Sequence, residues 1–208
     1  MKEETKLNKY GNPIFTYPDM RESNYKFIEK YLSKDKNLLE FGSGGSTVYF
    51  SKKVKKIISI EHDPYWVQQV SINLKKEGID NVSLFYAPPN KPFELGETPK
   101  TQRQIEFYDY IRTPDSIKKN FPNFSYDVVF IDGRARIECA KYIFPFLHKD
   151  TVVILHDYKG RQRYRAVLEW YDEIDRIDKG CSAIALKRKS KIIEKYFPEL
   201  LNSTKKED

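Results

Sequence analysis

The sequence predicts an α/β fold, a mostly parallel sheet covered by helices on both faces, with an antiparallel last strand. Three observations lead there. Short apolar runs alternate with segments of helical period along most of the chain, the pattern of parallel strands joined by covering helices. The first apolar run stops on Gly42-Ser43-Gly44-Gly45, a tight turn at the carboxyl end of a strand. Near the end, Asp178-Lys179-Gly180 reads as the turn between a last pair of strands near 172–178 and 181–187, short enough for a hairpin.

The elements follow in order. Residues 1–20 mix charge with Gly11, Pro13 and Pro18 and read as an extended lead-in; together with the next helix they form a section over 1–34. Between Arg21 and Leu32 the apolar residues Tyr25, Phe27, Ile28, Tyr31 and Leu32 recur at helical spacing. Asn37 to Phe41 is a buried strand, 46–52 a helix and 54–60 a second strand. Asp63-Pro64 opens helix 64–76 as an N-cap followed by proline at the first helical position. Residues 82–86 form a third strand.

Residues 87–124 break the rhythm, with Pro88, Pro89, Pro92, Pro99, Pro114 and Pro122 among aromatics that include Phe93, Phe107, Tyr108 and Tyr110. A connection this long is usually functional, and it reads as an acceptor-side insertion. Strand 127–131, helix 135–147, strand 151–155 and helix 161–171 resume the pattern. Strands near 172–178 and 181–187 and a lysine-rich helix at about 191–201 complete one domain over 1–208, its last section, 189–208, basic.

Composition narrows the function. The chain carries 37 basic and 30 acidic residues, a net charge of +7, which suits anionic partners. The basic residues form no nucleic-acid-binding module, so a nucleic-acid partner is not expected. No apolar run approaches the ~20 residues of a membrane span, and no secretory signal is expected. A cytoplasmic protein is expected, with Cys139 and Cys181 as reduced thiols.

In a parallel sheet ligands bind at the strands' carboxyl ends, so the residues there are the candidates for function. The dinucleotide fingerprint fails because its third glycine would fall on Thr47, and no Gly-Lys-Ser/Thr of a phosphate loop follows Gly45. Glu40, just before the glycines, would repel a pyrophosphate and suit a ligand bearing an ammonium group. Glu61, 21 residues further on at the end of the second strand, can accept hydrogen bonds from ribose hydroxyls.

Through these residues the chain resembles the class I S-adenosylmethionine (SAM)-dependent methyltransferases over roughly residues 35–188. Glu40-Phe41-Gly42-Ser43-Gly44 looks like their first motif, and Glu61 like their ribose-binding acid. The resemblance implies a Rossmann-like three-layer αβα sandwich on a seven-stranded sheet. It also implies SAM as cosubstrate: Gly42 and Gly44 line its methionine portion, and Glu40 meets the amino end directly or through water. Glu61 binds the ribose, with Ser43 and Ser46 as polar contacts and His62 or Tyr86 against the adenine. The sequence departs from the family after the third strand, where Tyr86-Ala87-Pro88-Pro89 replaces an acid.

The fourth strand runs into Asp132 and the fifth into His156-Asp157, each after four apolar residues. Asp132, His156 and Asp157 should therefore emerge together beside the transferring methyl. A hydroxyl nucleophile needs its proton removed, and Asp132 is the first candidate base, His156 the second. In metal-dependent relatives two such aspartates would hold Mg²⁺ or Mn²⁺, so Asp132 and Asp157 are also candidate metal ligands. The plainer alternative is that both cap the helices that follow.

Arg134, Arg136, Arg161, Arg163 and Arg165 crowd the same edge. Some are expected to pair with Glu138, Glu169 or Asp172 on helix surfaces; Arg134, Arg161 and Arg163 are the candidates for binding an anionic acceptor. The similarity of Asp132-Gly133-Arg134-Ala135-Arg136 and His156-Asp157-Tyr158 to glycan-modifying methyltransferases points to a sugar or glycan hydroxyl. The rivals are an RNA or small phenolic acceptor, and a nucleoside-binding module without chemistry.

Overall fold

A computed structural model describes residues 6–11, 13–90, 106–178 and 182–196. In chain order the elements are α1 (Glu22–Glu29), β1 (Asn37–Phe41), α2 (Gly45–Ser51), β2 (Lys56–Glu61), α3 (Pro64–Lys76), β3 (Val82–Tyr86) and α4 (Tyr108–Asn120). There follow β4 (Val128–Ile131), α5 (Arg136–Ile143), β5 (Val152–His156), β6 (Tyr171–Ile177), β7 (Ala183–Arg188) and α6 (Ser190–Tyr196). The seven strands form one sheet in the order β3-β2-β1-β4-β5-β7-β6. Strands β1 to β5 pair in parallel, and β7 runs antiparallel to both β5 and β6. The expected Rossmann-like sheet with an antiparallel last strand is thus the observed one.

The strand period of two sorts the core. Leu39, Phe41, Ile58, Ile60, Val129, Ile131, Val153 and Leu155 pack in one buried cluster, while Leu38, Ile57, Val128, Phe130, Val152 and Ile154 pack in another with Phe27 and Ile28 of α1. Glu40 and Ser59 are register partners of each other, and Glu40 is also opposite Phe130. They therefore share the face of the second cluster, and two residues further along each strand lie Gly42, Glu61, Asp132 and His156. Chain order reverses between β1 and β4, so the crevice for a ligand lies where these two strands end.

Several elements differ from expectation. The region 87–124 contains α4, held by buried Tyr110, Ile111 and Ile117; its aromatic content reads as irregular, yet these residues recur on one helical face. Pro114 inside α4 cannot donate a backbone hydrogen bond, and the neighbouring Thr113 hydroxyl donates to the Asp109 carbonyl at 3.0 Å. The expected helix 161–171 is a 3-10 helix over Gln162–Glu169, and helix 135–147 gives way to a 3-10 turn at Phe144–Phe146, with proline at its second residue. The turn at 179–180, Cys181, Phe93 and the helix expected beyond 196 lie outside the described residues. Among the described residues, no helix is long and apolar enough to cross a membrane.

Candidate functional site

The glycine turn is built by backbone need. Gly42 has φ +99°, and a Cβ there would stand 2.7 Å from the Gly133 backbone, across the β1/β4 crevice. Gly45 is equally constrained, since a Cβ would overlap the Tyr17 carbonyl of the lead-in. Gly44 is not: its backbone is extended, and a Cβ would meet only the Trp66 ring edge at 4.0 Å. The space above Gly44 is therefore the part of the turn open to a ligand.

Two buried carboxylates hold that turn from below. Glu40 is fully buried and accepts hydrogen bonds from the hydroxyls of Ser46, Thr47 and Ser59, each at 2.6 Å. Burial pushes its pKa up to about 7 against the lowering effect of those hydroxyls. Glu61, 2% exposed, accepts from the Ser43 N–H at 2.7 Å and from the N–H groups of His62 and Asp63 at 2.9 and 2.8 Å. The structure thus sets Glu40 and Glu61 under the loop, with the Ser46 hydroxyl turned to Glu40 and the Ser43 hydroxyl 2.6 Å from that of Ser59. His62 packs edge-on to Phe107 and Tyr110, bringing α4 against the site, and Tyr86, opposite Glu61 in register, is half exposed.

At the ends of β4 and β5 the expected acids converge. His156 Nδ1 lies 2.8 Å from Asp132 Oδ1 and 3.9 Å from Asp157 Oδ1. Burial opposes charge on both groups, but their attraction outweighs it. Asp132 is held below the usual carboxylate range by His156 and Arg136, and the imidazole is raised by Asp132 and Asp157. Asp132 keeps about a quarter of its side chain exposed, whereas His156 Nε2 is buried without a hydrogen-bond partner among the described residues. Asp157 takes φ +57°, a left-handed backbone that Asp tolerates better than most residues, and its N–H donates to the Ser182 carbonyl at 2.9 Å.

Neither acid caps a helix. Ala135 stands at the N-cap of α5 without a side-chain cap, and Arg161 precedes the 3-10 helix. The arginines also divide differently from expectation. Arg136 pairs with Asp132 and Asp157, while Glu169 pairs with Lys141 and Asp172 with Lys189. Arg161 lies 3.1 Å from Asp157 Oδ2. Arg134 and Arg163 are exposed, the latter over the Tyr164 ring. Arg136, Gly133, Thr47 and Ser59 contact the expected site residues and are missing from the sequence-level candidate site. Arg136 had a signal, its four-residue spacing from Asp132; Ser59 had none, because its partner lies on another strand. A groove of about 1000 Å³ between the lead-in and α3 is lined by Phe15, Tyr65, Trp66 and Ile72, and by none of the expected site residues.

No family model matches the chain, and no curated protein matches it. Solved structures do. A methyltransferase-like protein from Silicibacter pomeroyi superposes with a TM-score of 0.65 at 19% identity, covering 89% of this chain and 97% of that one. A putative caffeoyl-CoA O-methyltransferase from Staphylococcus aureus gives 0.54 at 16% identity over 82% and 86%. A putative methyltransferase from Streptococcus mutans, in complex with S-adenosylhomocysteine (SAH), gives 0.53 at 11% over 81% and 97%. At these identities the likeness establishes the fold, which is that of class I methyltransferases.

Proposed function

We propose that this chain is a SAM-dependent methyltransferase that methylates a hydroxyl, with a sugar or glycan as acceptor. The observation that carries the reading is the Asp132–His156 pair at 2.8 Å, at the end of the strand beside the Gly42 turn. The open face of Gly44 fits the methionine end of SAM, and the exposed Tyr86 fits a base. When bound, SAM supplies a methyl carbon activated by its sulfonium.

The chain's own residues then have two tasks, alignment and proton removal. Asp132, the exposed member of the pair, would accept the hydroxyl proton as the acceptor oxygen takes the methyl group that bound SAM would supply, with SAH as the leaving group. His156 holds Asp132 Oδ1 and orients the carboxylate. Arg134, Arg161 and Arg163 supply charge for a phosphate or carboxylate on the acceptor. The sugar preference rests on the sequence likeness around Asp132 and His156. Methyl transfer assayed over nucleotide sugars, oligosaccharides, catechols and RNA tests it. Turnover on the sugars supports it, and turnover confined to catechols or RNA replaces the acceptor while keeping the reaction.

A further inference from the structure

Ligand atoms of Asp132, His156 and Asp157 lie within 4.8 Å of one another, a donor set of the kind that holds a divalent ion. A guanidinium stands among them. Arg136 Nη1 is 3.0 Å from Asp132 Oδ1 and 3.4 Å from Asp157 Oδ2, and it donates to the His156 carbonyl at 2.6 Å. Its Nε donates to the Gly133 carbonyl at 2.9 Å, and the side chain is only 11% exposed. We propose that Arg136 is a built-in cation occupying the place of a divalent metal, so that Asp132 and Asp157 bind none.

Charge balance supports this. Two carboxylates face two guanidiniums, Arg136 and Arg161, and a divalent ion would add charge with no counterpart. Geometry agrees. Asp132 Oδ1 already faces both Arg136 Nη1 and His156 Nδ1, so a metal there would have to displace both. Expelling the arginine would also strip hydrogen-bond partners from two backbone carbonyls, one just after β4 and one at the end of β5, and leaving such groups unsatisfied is costly. A change of pH cannot vacate the position, because a guanidinium does not deprotonate in proteins. The proposal rests on the methyltransferase reading for its meaning, that proton transfer through Asp132 proceeds without a metal. Arg136 is then a positioning residue that orients both carboxylates.

The test is Mn²⁺ titration followed by electron paramagnetic resonance, with thermal melting alongside. The wild-type chain is expected to leave Mn²⁺ free and its melting temperature unmoved. Arg136→Met, which removes the cation, is expected to bind Mn²⁺ at least about tenfold more tightly than wild type and to melt higher with the ion present. Adding Asp157→Asn to that variant should abolish the gain, and Arg136→Lys should not show it. Micromolar Mn²⁺ binding by wild type that Asp157→Asn removes would overturn the proposal; so would a folded Arg136→Met that binds no better than wild type. If Arg136→Met does not fold, the wild-type and Arg136→Lys titrations still decide. SAH binding, measured separately, reports on the methyltransferase reading and leaves these outcomes unchanged.

Discussion

Gly42 and Gly133 approach so closely that a Cβ on Gly42 would stand 2.7 Å from the Gly133 Cα and nitrogen. This contact joins the turn after β1 to the turn after β4. Both atoms met are backbone, so no side chain can move aside, and φ +99° adds strain for any residue with a Cβ. Gly42→Ala should therefore destabilise the fold by about 2 kcal/mol or more and abolish SAH binding.

Gly44→Ala separates folding from ligand contact. The new methyl meets only the Trp66 ring edge at 4.0 Å, on an extended backbone. Thermal melting should barely change, while calorimetry should show weakened SAH binding. Unweakened binding would mean that the ligand does not approach the turn at Gly44.

Asp132→Asn should keep the fold and SAH affinity but lower turnover by about 10² or more, the usual contribution of a general base. Near-normal turnover at neutral pH would transfer the proton-accepting role to His156, despite its buried Nε2.

Stability should fall as pH rises from about 4.5 to about 7, and Glu40 should be a main cause. Its folded pKa of about 7 stands above the ordinary value of 4.5. The folded state therefore binds the extra proton between those values, and the contribution is complete below 4.5 and gone above about 7. The span corresponds to about 3 kcal/mol. Melting of wild type and Glu40→Gln between pH 4 and 8, ~1 pH unit apart, should show a steeper decline for wild type; parallel curves would remove Glu40 as the titrating group.

Arg134→Ala should raise KM for an anionic acceptor more than it lowers kcat, since charge outside the reacting centre mainly supplies binding. The effect should shrink with salt, because the side chain is exposed. Equal KM values for neutral and anionic acceptors, unaltered by the substitution, would make Arg134 a solvated surface charge.

The strand boundaries were legible wherever a buried apolar run met a turn residue, and β1, β3 and α3 match expectation at both ends. Asp132, His156 and Asp157 were legible for the same reason, because each follows an apolar run whose end marks the sheet edge. The roles of Glu40 and Glu61 were harder to read. The sequence shows an acid beside glycines but not the three hydroxyls and three N–H groups that bind the two carboxylates beneath the turn. Helix α4 was hidden because prolines and aromatics read as loop residues until Tyr110, Ile111 and Ile117 find the sheet to pack on. Arg136 was visible as a residue, but its partner Asp157 comes from another strand, and only the parallel pairing of β4 and β5 brings the two together.

Calorimetric titration of the chain with SAH, with SAM and NAD alongside, tests the central claim most directly. One-to-one binding of SAH and SAM in the micromolar range and no binding of NAD are expected, with affinity lost in Gly42→Ala. A folded chain that binds neither SAH nor SAM, or that binds NAD tightly, would contradict it.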